Sequence, residues 1–139
     1  MKDGFNVDKD GTKRWYKNGK YHREDGPAIE DADGYKEWWI KGKLHREDGP
    51  AIENVNGTKS WFKEGVRHRE DGPAIEWPDG SKQWYKDGKI HREDGHAIEW
   101  SDGDKEWYIK GEFYTEREYW KEIYKIGLIS EEELFIILL

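Results

Sequence analysis

Apolar and polar side chains alternate over short runs along most of this chain, and helical spacing is confined to its C-terminal end. In residues 82–92, the run Lys-Gln-Trp-Tyr-Lys leads into Asp87-Gly88 and returns as Lys-Ile-His-Arg. An Asp-Gly pair between two aromatic-rich runs indicates a β-hairpin with a type I′ turn. Equivalent pairs stand at Asn18-Gly19, Lys41-Gly42, Glu64-Gly65 and Lys110-Gly111. The pattern predicts a series of short antiparallel hairpins.

The hairpins belong to an internal repeat of 23 residues. Fourteen glycines follow one another along the chain at steps of 8, 7 and 8 residues. Near-identical copies begin at Gly11, Gly34, Gly57 and Gly80, and a fifth, incomplete copy begins at Gly103. A period of 20 to 50 residues is typical of a solenoid, in which each unit buries its apolar face against its neighbours. The repeat therefore predicts an elongated stack of hairpins.

A second turn closes each repeat, at Asp33-Gly34, Asn56-Gly57, Asp79-Gly80 and Asp102-Gly103. A two-residue turn sets the register, so Tyr85 lies opposite Ile90 across Asp87-Gly88, and Ile98 lies opposite Trp107 across Asp102-Gly103. Alternation then places three recurring residue types on one face, which we expect to form the core. They are the Trp series 15, 38, 61, 84 and 107, the His series 22, 45, 68 and 91, and the Ile series 29, 52, 75 and 98.

The opposite face carries a second aromatic series. Its members are Tyr16, Trp39, Phe62, Tyr85 and Tyr108, and the cross-strand neighbours of the first four are Tyr21, Leu44, Arg67 and Ile90. Five units of two strands would make a rod about 45–50 Å long, which two short helices cannot cover. A contiguous exposed apolar stripe usually marks an interaction site. We therefore predict that the five aromatic residues bind a partner.

The C-terminal end changes from strand to helix. Thr115 to Glu118 and Ser130 to Glu133 both form capping boxes, apolar residues follow the first box at helical spacing, and Gly127 suits a helix C-terminus. We expect two short helices that seal the last hairpin. The predicted organisation is a partial repeat over residues 1–10, five hairpin repeats over residues 11–112 and a helical cap over residues 113–139. The predicted fold is mostly β, an elongated antiparallel hairpin repeat with a short C-terminal helical cap.

Composition narrows the classes of protein. Only 34% of the residues are hydrophobic and 40% are charged, so the 15% that are aromatic must supply much of the core. The chain has no cysteine, which excludes disulfides, thiolate metal sites and a cysteine nucleophile. A net charge of −7 argues against general nucleic-acid binding. The first residues show no signal peptide, and the longest apolar run, 134–139, is too short to span a membrane, so we expect a cytoplasmic protein.

The repeat unit resembles a known family. The pattern G-x-x-x-W-x-x-x-G-K-x-H, followed by a glycine four residues after the histidine, is similar to the MORN (membrane occupation and recognition nexus) repeat. It is closer still to the variant MORN repeat of bacterial and viral proteins, some of them described as antitoxins. The likeness covers residues 11 to about 112, although His-Arg-Glu-Asp-Gly-Pro replaces the usual His-Gly-x-Gly. The resemblance implies a hairpin scaffold that binds proteins and sometimes acidic lipids, without catalytic residues.

The motif His-Arg-Glu-Asp occurs four times and is the strongest candidate for site chemistry. It could hold a metal or a row of phosphates. It could also be structural, with each His packed on the opposite Trp and each Arg paired with carboxylates of neighbouring units. We favour the structural role, because a catalytic or metal site needs one convergent geometry and gains nothing from repetition. The possible anion-binding residues are His22, Arg23, His45, Arg46, His68, Arg69, His91 and Arg92.

The sequence suggests three hypotheses for the function of this protein. The first is a non-enzymatic scaffold that binds a protein partner along its aromatic face, as an inhibitor or antitoxin of bacterial or phage origin, with no cofactor, metal or catalytic residue. The second is the capture of a small anionic ligand such as a nucleotide, with rings stacked on bases and the His-Arg series on phosphates. The third is a self-assembling structural protein joined through its apolar C-terminal helix, residues 134–139.

Overall fold

A computed structural model describes residues 3–139. The first two residues of the predicted partial repeat, 1 and 2, lie outside this range. The strands in chain order are β1 (Gly4–Val7), β2 (Lys13–Lys17), β3 (Lys20–Tyr21), β4 (Ile29–Glu30), β5 (Lys36–Glu37), β6 (Trp39–Ile40), β7 (Lys43–Leu44), β8 (Ile52–Glu53), β9 (Lys59–Ser60), β10 (Phe62–Lys63), β11 (Val66–Arg67), β12 (Ile75–Glu76), β13 (Lys82–Gln83), β14 (Tyr85–Lys86), β15 (Lys89–Ile90), β16 (Ile98–Glu99), β17 (Lys105–Ile109) and β18 (Glu112–Tyr114). Two helices follow, α1 (Glu116–Lys125) and α2 (Glu131–Ile137).

The strands form one long antiparallel sheet with a row of hairpins beside it. The main sheet runs in the order β1-β2-β4-β5-β8-β9-β12-β13-β16-β17-β18, with β3 paired to β2. The pairs β6-β7, β10-β11 and β14-β15 form separate hairpins. Neighbouring hairpins are joined by backbone hydrogen bonds such as Gly65 N to Leu44 O at 2.8 Å and Gly88 N to Arg67 O at 2.9 Å. The predicted fold, mostly β with antiparallel hairpins and two C-terminal helices, is confirmed.

The hairpin turns match the predicted type. Tyr85 pairs with Ile90 and Lys86 with Lys89, as a two-residue turn requires. The first turn residue has positive φ in every hairpin, even where it is Lys41 (50°) or Glu64 (48°). Side chains other than Gly, Asn and Asp rarely adopt this conformation, so contacts with the neighbouring repeats must impose it.

The second turn differs from the prediction. Ile98 pairs with Glu106 and not with Trp107, and the N–H of Trp100 donates to the carbonyl of Asp104. The loop therefore contains three residues and ends on Gly103, whose φ is +95°. The extra residue shifts the register by one position, which moves the side chains of a strand to the other face.

This shift overturns the prediction that the Trp, His and Ile series share one face, although Ile75, Ile98, His68 and His91 are buried as expected. Ile98 lies on the face of Glu106, and the Glu106 carboxylate accepts a hydrogen bond from the hydroxyl of Tyr108. The isoleucines therefore share a face with the aromatic series that begins at Tyr16. The Trp series lies on the opposite face by alternation, together with small, fully buried residues. These are Ala28, Ala51, Ala74 and Ala97.

The C-terminal helices close one end of the stack. The capping boxes at Thr115 and Ser130 are both present. Helix α1 packs Tyr119 and Ile123, both fully buried, against Ile109 of β17, and thus covers the last hairpin. Helix α2 has no buried residue. Neither helix is long and apolar enough to cross a membrane, and the same holds for all of residues 3–139.

Candidate functional site

The hairpin row brings the predicted partner-binding residues to one face. Each of the five aromatic residues pairs across its hairpin with a second side chain, and the two sets alternate along the row. We call these ten side chains the aromatic ladder. In order along the row they are Tyr16, Tyr21, Trp39, Leu44, Phe62, Arg67, Tyr85, Ile90, Tyr108 and Phe113.

Direct ring contacts join many neighbours in the ladder. The rings of Tyr16 and Tyr21 stack with centroids 5.0 Å apart, and Tyr21 lies 5.4 Å from Trp39 in the next repeat. Phe113 meets Tyr108 edge-on at 5.7 Å. Phe113 is 61% exposed, and the other nine side chains are half-buried. The ladder is therefore a largely apolar surface with one cation, Arg67, and part of every ring stays open to solvent.

Hydrogen bonds hold several rings in place. The indole N–H of Trp39 donates to Glu37 at 3.1 Å, and the hydroxyl of Tyr85 donates to Gln83 at 3.1 Å. The hydroxyl of Tyr108 donates to Glu106 at 2.9 Å. Burial and this carboxylate both raise the pKa of Tyr108 above its usual value, so it stays protonated as a donor. These bonds order the ladder before any partner arrives.

Arg67 stands in the middle of the ladder and was predicted only as a neighbour of Phe62. Its guanidinium carbon lies 5.0 Å from the Phe62 ring centroid and 5.2 Å from that of Tyr85. Its Nε is buried and has no hydrogen-bond partner. The signal was present in the sequence, because the corresponding positions of the other copies hold the apolar or aromatic residues Tyr21, Leu44 and Ile90.

The arginines of the His-Arg-Glu-Asp motifs are engaged within the fold. The guanidinium carbon of Arg46 lies 3.9 Å above the Trp38 ring, and its nitrogens contact the Pro50 carbonyl and the carboxylates of Asp48 and Glu53. The prediction that these arginines pair with carboxylates of neighbouring units was wrong for Arg46, because Asp48 and Glu53 both lie in its own repeat. The same stacking on Trp recurs at 3.8–4.0 Å for Arg23, Arg69 and Arg92.

The histidines of these motifs connect consecutive repeats. The Nδ1 atom of His22 accepts a hydrogen bond from the backbone N–H of Lys41 at 2.9 Å. Its Nε2 lies 3.4 Å from the carboxylate of Glu24. The same arrangement recurs at His45, His68 and His91. Among the motif residues of the described chain it is Arg, and not His as predicted, that stacks on the Trp series, at Trp15, Trp38, Trp61 and Trp84.

Open clefts separate successive His-Arg-Glu-Asp loops. The largest has a volume of about 680 Å³ and is lined by the loops that begin at Arg69 and Arg92, with Trp84 and Leu128. The carboxylates at the rim are exposed, for example Asp71 at 90% and Asp94 at 85%. Because the arginines are engaged within their own loops and the rim carboxylates face solvent, the clefts present negative charge where an anionic ligand would enter.

Lysines and arginines of this chain differ in whether they form polar contacts within the fold. The lysines of the described chain form no ion pair or side-chain hydrogen bond, whereas each arginine of the four motifs contacts a carboxylate and donates to a backbone carbonyl. Lys86, Lys89 and Lys110 converge on a cleft of about 280 Å³ at the hairpin tips, which His91 and Glu93 also line. Across residues 3–139, no group of three His, Asp or Glu side chains is placed to hold a metal ion.

The apolar C-terminal segment is exposed. Phe135 is 68% exposed, Ile136 67% and Leu139 89%. The predicted self-association surface is therefore accessible.

Comparison with known proteins leaves the chain without an assigned family. No family model matches it, and no curated protein matches it at a significant level. The resemblance to the MORN repeat stays a prediction.

Proposed function

We propose that this protein is a non-enzymatic repeat scaffold that binds a protein partner along the aromatic ladder. The observation that carries the proposal is the ladder itself. Ten side chains form one uninterrupted row across five hairpins, and all of them keep exposed surface. Monomeric proteins rarely leave a contiguous apolar patch of this kind without an interaction to serve.

The composition of the ladder favours a protein as the ligand. Tyr, Trp, Phe and Arg are the side chains enriched at the energetic centres of protein interfaces. The rings of Trp39, Tyr85 and Tyr108 are fixed by hydrogen bonds, so they lose little conformational entropy on binding. The row is about 45 Å long at a strand spacing of roughly 4.8 Å, which suits an elongated protein segment better than a small molecule.

The biological role that we propose is inhibition of the partner, as an antitoxin-like protein of a bacterium or its virus, acting in the cytoplasm. The resemblance of the repeat to variant MORN repeats supports this role, since some proteins with such repeats are described as antitoxins. The ladder supports the proposed binding of a protein, and the resemblance supports the proposed inhibitory role.

A comparative pull-down tests the proposal. Tagged wild type and the double variant Trp39→Ala, Phe62→Ala are incubated with a bacterial lysate, and the retained proteins are identified by mass spectrometry. Val55→Ser is the matched control, because Val55 is 61% exposed in a loop away from the ladder. We expect at least one protein that wild type and Val55→Ser retain and that the double variant loses. Identical partner lists for all three would overturn the proposed site.

The exposed C-terminal segment supports self-association as a second candidate function. Phe135, Ile136 and Leu139 place three large apolar side chains together in solvent. Light scattering over a range of concentrations tests it, with Phe135→Glu as the comparison. A dimer that this variant abolishes would support self-association, and a wild-type monomer at high concentration would overturn it.

A further inference from the structure

We infer that Arg67 binds a carboxylate side chain of the protein partner at the centre of the aromatic ladder. This inference rests on the proposed function, because it specifies the chemistry of the segment that the ladder binds. The partner segment would carry an Asp or Glu with apolar residues on either side.

Arg67 is the only cation among the ten side chains of the ladder. Its guanidinium carbon is 5.0 Å from the Phe62 ring centroid and 5.2 Å from the Tyr85 ring centroid. A cation over an aromatic face is attracted by the electron-rich ring. Two rings of consecutive repeats therefore hold the guanidinium in a defined place.

The guanidinium has no polar partner inside the protein. Its Nε is buried without a hydrogen bond, and its other nitrogens form no ion pair or hydrogen bond with a described residue. Arg46, by contrast, contacts two carboxylates and one carbonyl. Because Nε is buried, an external acceptor can reach only the two terminal nitrogens, which have no hydrogen bond to a described residue and are not buried. A donor without an acceptor costs free energy that such a partner can recover. The lack of an acceptor for the Arg67 guanidinium among the described residues thus points to an external ligand.

On the face of the sheet that carries Arg67, the positions beside Phe62 and Tyr85 hold no carboxylate. On each first hairpin strand, the residue two positions before the ladder aromatic lies on the same face. This residue is Arg14 beside Tyr16, Glu37 beside Trp39 and Glu106 beside Tyr108, but Ser60 beside Phe62 and Gln83 beside Tyr85. The two repeats that flank Arg67 therefore offer it no anion, and the ladder is acidic only farther out.

The shape and charge of this centre determine the occupant. Guanidinium groups bind planar carboxylates through parallel N–H···O bonds, and the interaction is strong where water is excluded. The flanking rings and Leu44 or Ile90 require apolar side chains around that carboxylate. Glu37 and Glu106 on the same face repel a phosphate group more strongly than a carboxylate, because the phosphate carries the larger negative charge.

Peptide selection tests the inference. Random peptides joined to the display particle through their C-termini, which leaves no free C-terminal carboxylate, are selected on the wild type. We expect enrichment of an Asp or Glu flanked by apolar residues. In synthetic versions of these peptides, replacing that acid by Asn or Gln should weaken binding about tenfold or more.

The variant Arg67→Ile is the matched control, because the next copy carries Ile90 at the same position and the fold accepts it. We expect it to bind the acidic peptides about tenfold more weakly, and to show no further loss with the Asn or Gln peptides. Equal urea midpoints for variant and wild type will show that folding is unchanged. Acidic peptides that bind both proteins equally would overturn the inference.

The two proposals can fail separately. Peptides that lack an acid, and whose binding is lost in the Trp39→Ala, Phe62→Ala variant, would refute the role of Arg67 and support the ladder as a binding face. Peptides whose binding survives that double variant, or no enrichment at all, would count against both.

Discussion

His45 ties its own repeat to the next one: its Nδ1 accepts a hydrogen bond from the backbone N–H of Glu64 at 3.0 Å. Glu64 is the turn residue with positive φ, a conformation that costs free energy for a glutamate. The same bond reaches the equivalent turn residues Lys41, Asp87 and Lys110. The histidines thus help to impose the strained turns on which the hairpin row depends.

Removing this acceptor should destabilise the stack. His45→Phe keeps an aromatic ring but leaves the N–H of Glu64 without its acceptor, so we expect a loss of about 0.5–1.5 kcal/mol in the free energy of unfolding. Urea denaturation checks it. Glu47→Gln is the control, because it changes only the exposed partner of Nε2 and should leave the midpoint nearly unchanged. Equal midpoints for the two variants would contradict a role of Nδ1 in stability.

Arginine and lysine should contribute very differently to stability. Arg46 stacks on Trp38 and donates to the Pro50 carbonyl, whereas Lys43 has no polar partner among the described residues. Because lysine cannot reproduce the planar fork, Arg46→Lys should cost about 1–3 kcal/mol of unfolding free energy. Lys43→Gln should change it little. Thermal and urea unfolding of the pair will check this, and a neutral Arg46→Lys would refute the structural role.

The fold was largely predictable, because the sequence shows a 23-residue period and contains residue pairs that favour I′ turns. The register of the second turn was not, because Asp102-Gly103 fits both a two-residue turn and the end of a three-residue loop. Only the pairing of Ile98 with Glu106 decides between them. That one-residue difference moved the isoleucines from the predicted core face to the ladder face, while the ladder residues, set by the I′ turns, stayed where they were expected.

The partners of the polar side chains were harder to predict. A repeated His-Arg-Glu-Asp motif shows that its residues recur in one place, but it does not say whether His or Arg covers the Trp. The loop folds back on itself, which brings Arg46 over Trp38 and points His45 to the next repeat. Arg67 was visible as an exception among the copies, but its missing hydrogen bond could be recognised only with the neighbouring rings in place.

The glycine of each His-Arg-Glu-Asp-Gly loop should resist substitution for lack of space. A Cβ on Gly49 would lie 2.8 Å from the Arg46 guanidinium carbon, which is pinned on Trp38. Gly49→Ala should therefore displace Arg46 and cost about 1–3 kcal/mol of unfolding free energy. Gly95→Ala is the graded comparison, since the same distance to Arg92 is 3.3 Å and the cost should be smaller. An equal effect at both glycines would contradict the steric explanation.

His96 should make stability depend on pH near neutrality. It replaces the proline of the earlier copies and lies between Trp84 and Trp107, at ring distances of 5.8 and 6.1 Å. Burial lowers the pKa of His96, so the folded state favours the neutral ring. Its contribution to stability is therefore complete above the unfolded pKa of about 6.5 and decreases as the pH falls below that value.

The variant His96→Pro isolates this effect because it restores the residue of the other copies. We expect the stability of the wild type to fall more steeply than that of the variant between pH 7 and pH 5, as measured by urea midpoints. The other histidines are common to both proteins and cancel in the difference. Parallel pH profiles would show that His96 does not contribute.

Tyr119 should link the helical cap to the last loop and give the protein a distinctive alkaline response. Its hydroxyl donates to the Arg92 carbonyl at 2.5 Å and accepts from the Gly95 N–H at 3.2 Å. Burial raises the pKa of Tyr119 to about 12. Since an unfolded tyrosine ionises near pH 10, the folded state holds this proton more tightly, and the stability it contributes declines as the pH rises from about 10 to about 12.

Tyr119→Phe should therefore be less stable than wild type at pH 7 by about 1–2 kcal/mol, and the difference should shrink above pH 10. Tyr124→Phe is the control, because Tyr124 is 40% exposed and its hydroxyl has no partner among the described residues. A Tyr119→Phe deficit that stays constant up to pH 11 would show that the hydroxyl proton is not what joins α1 to the loop.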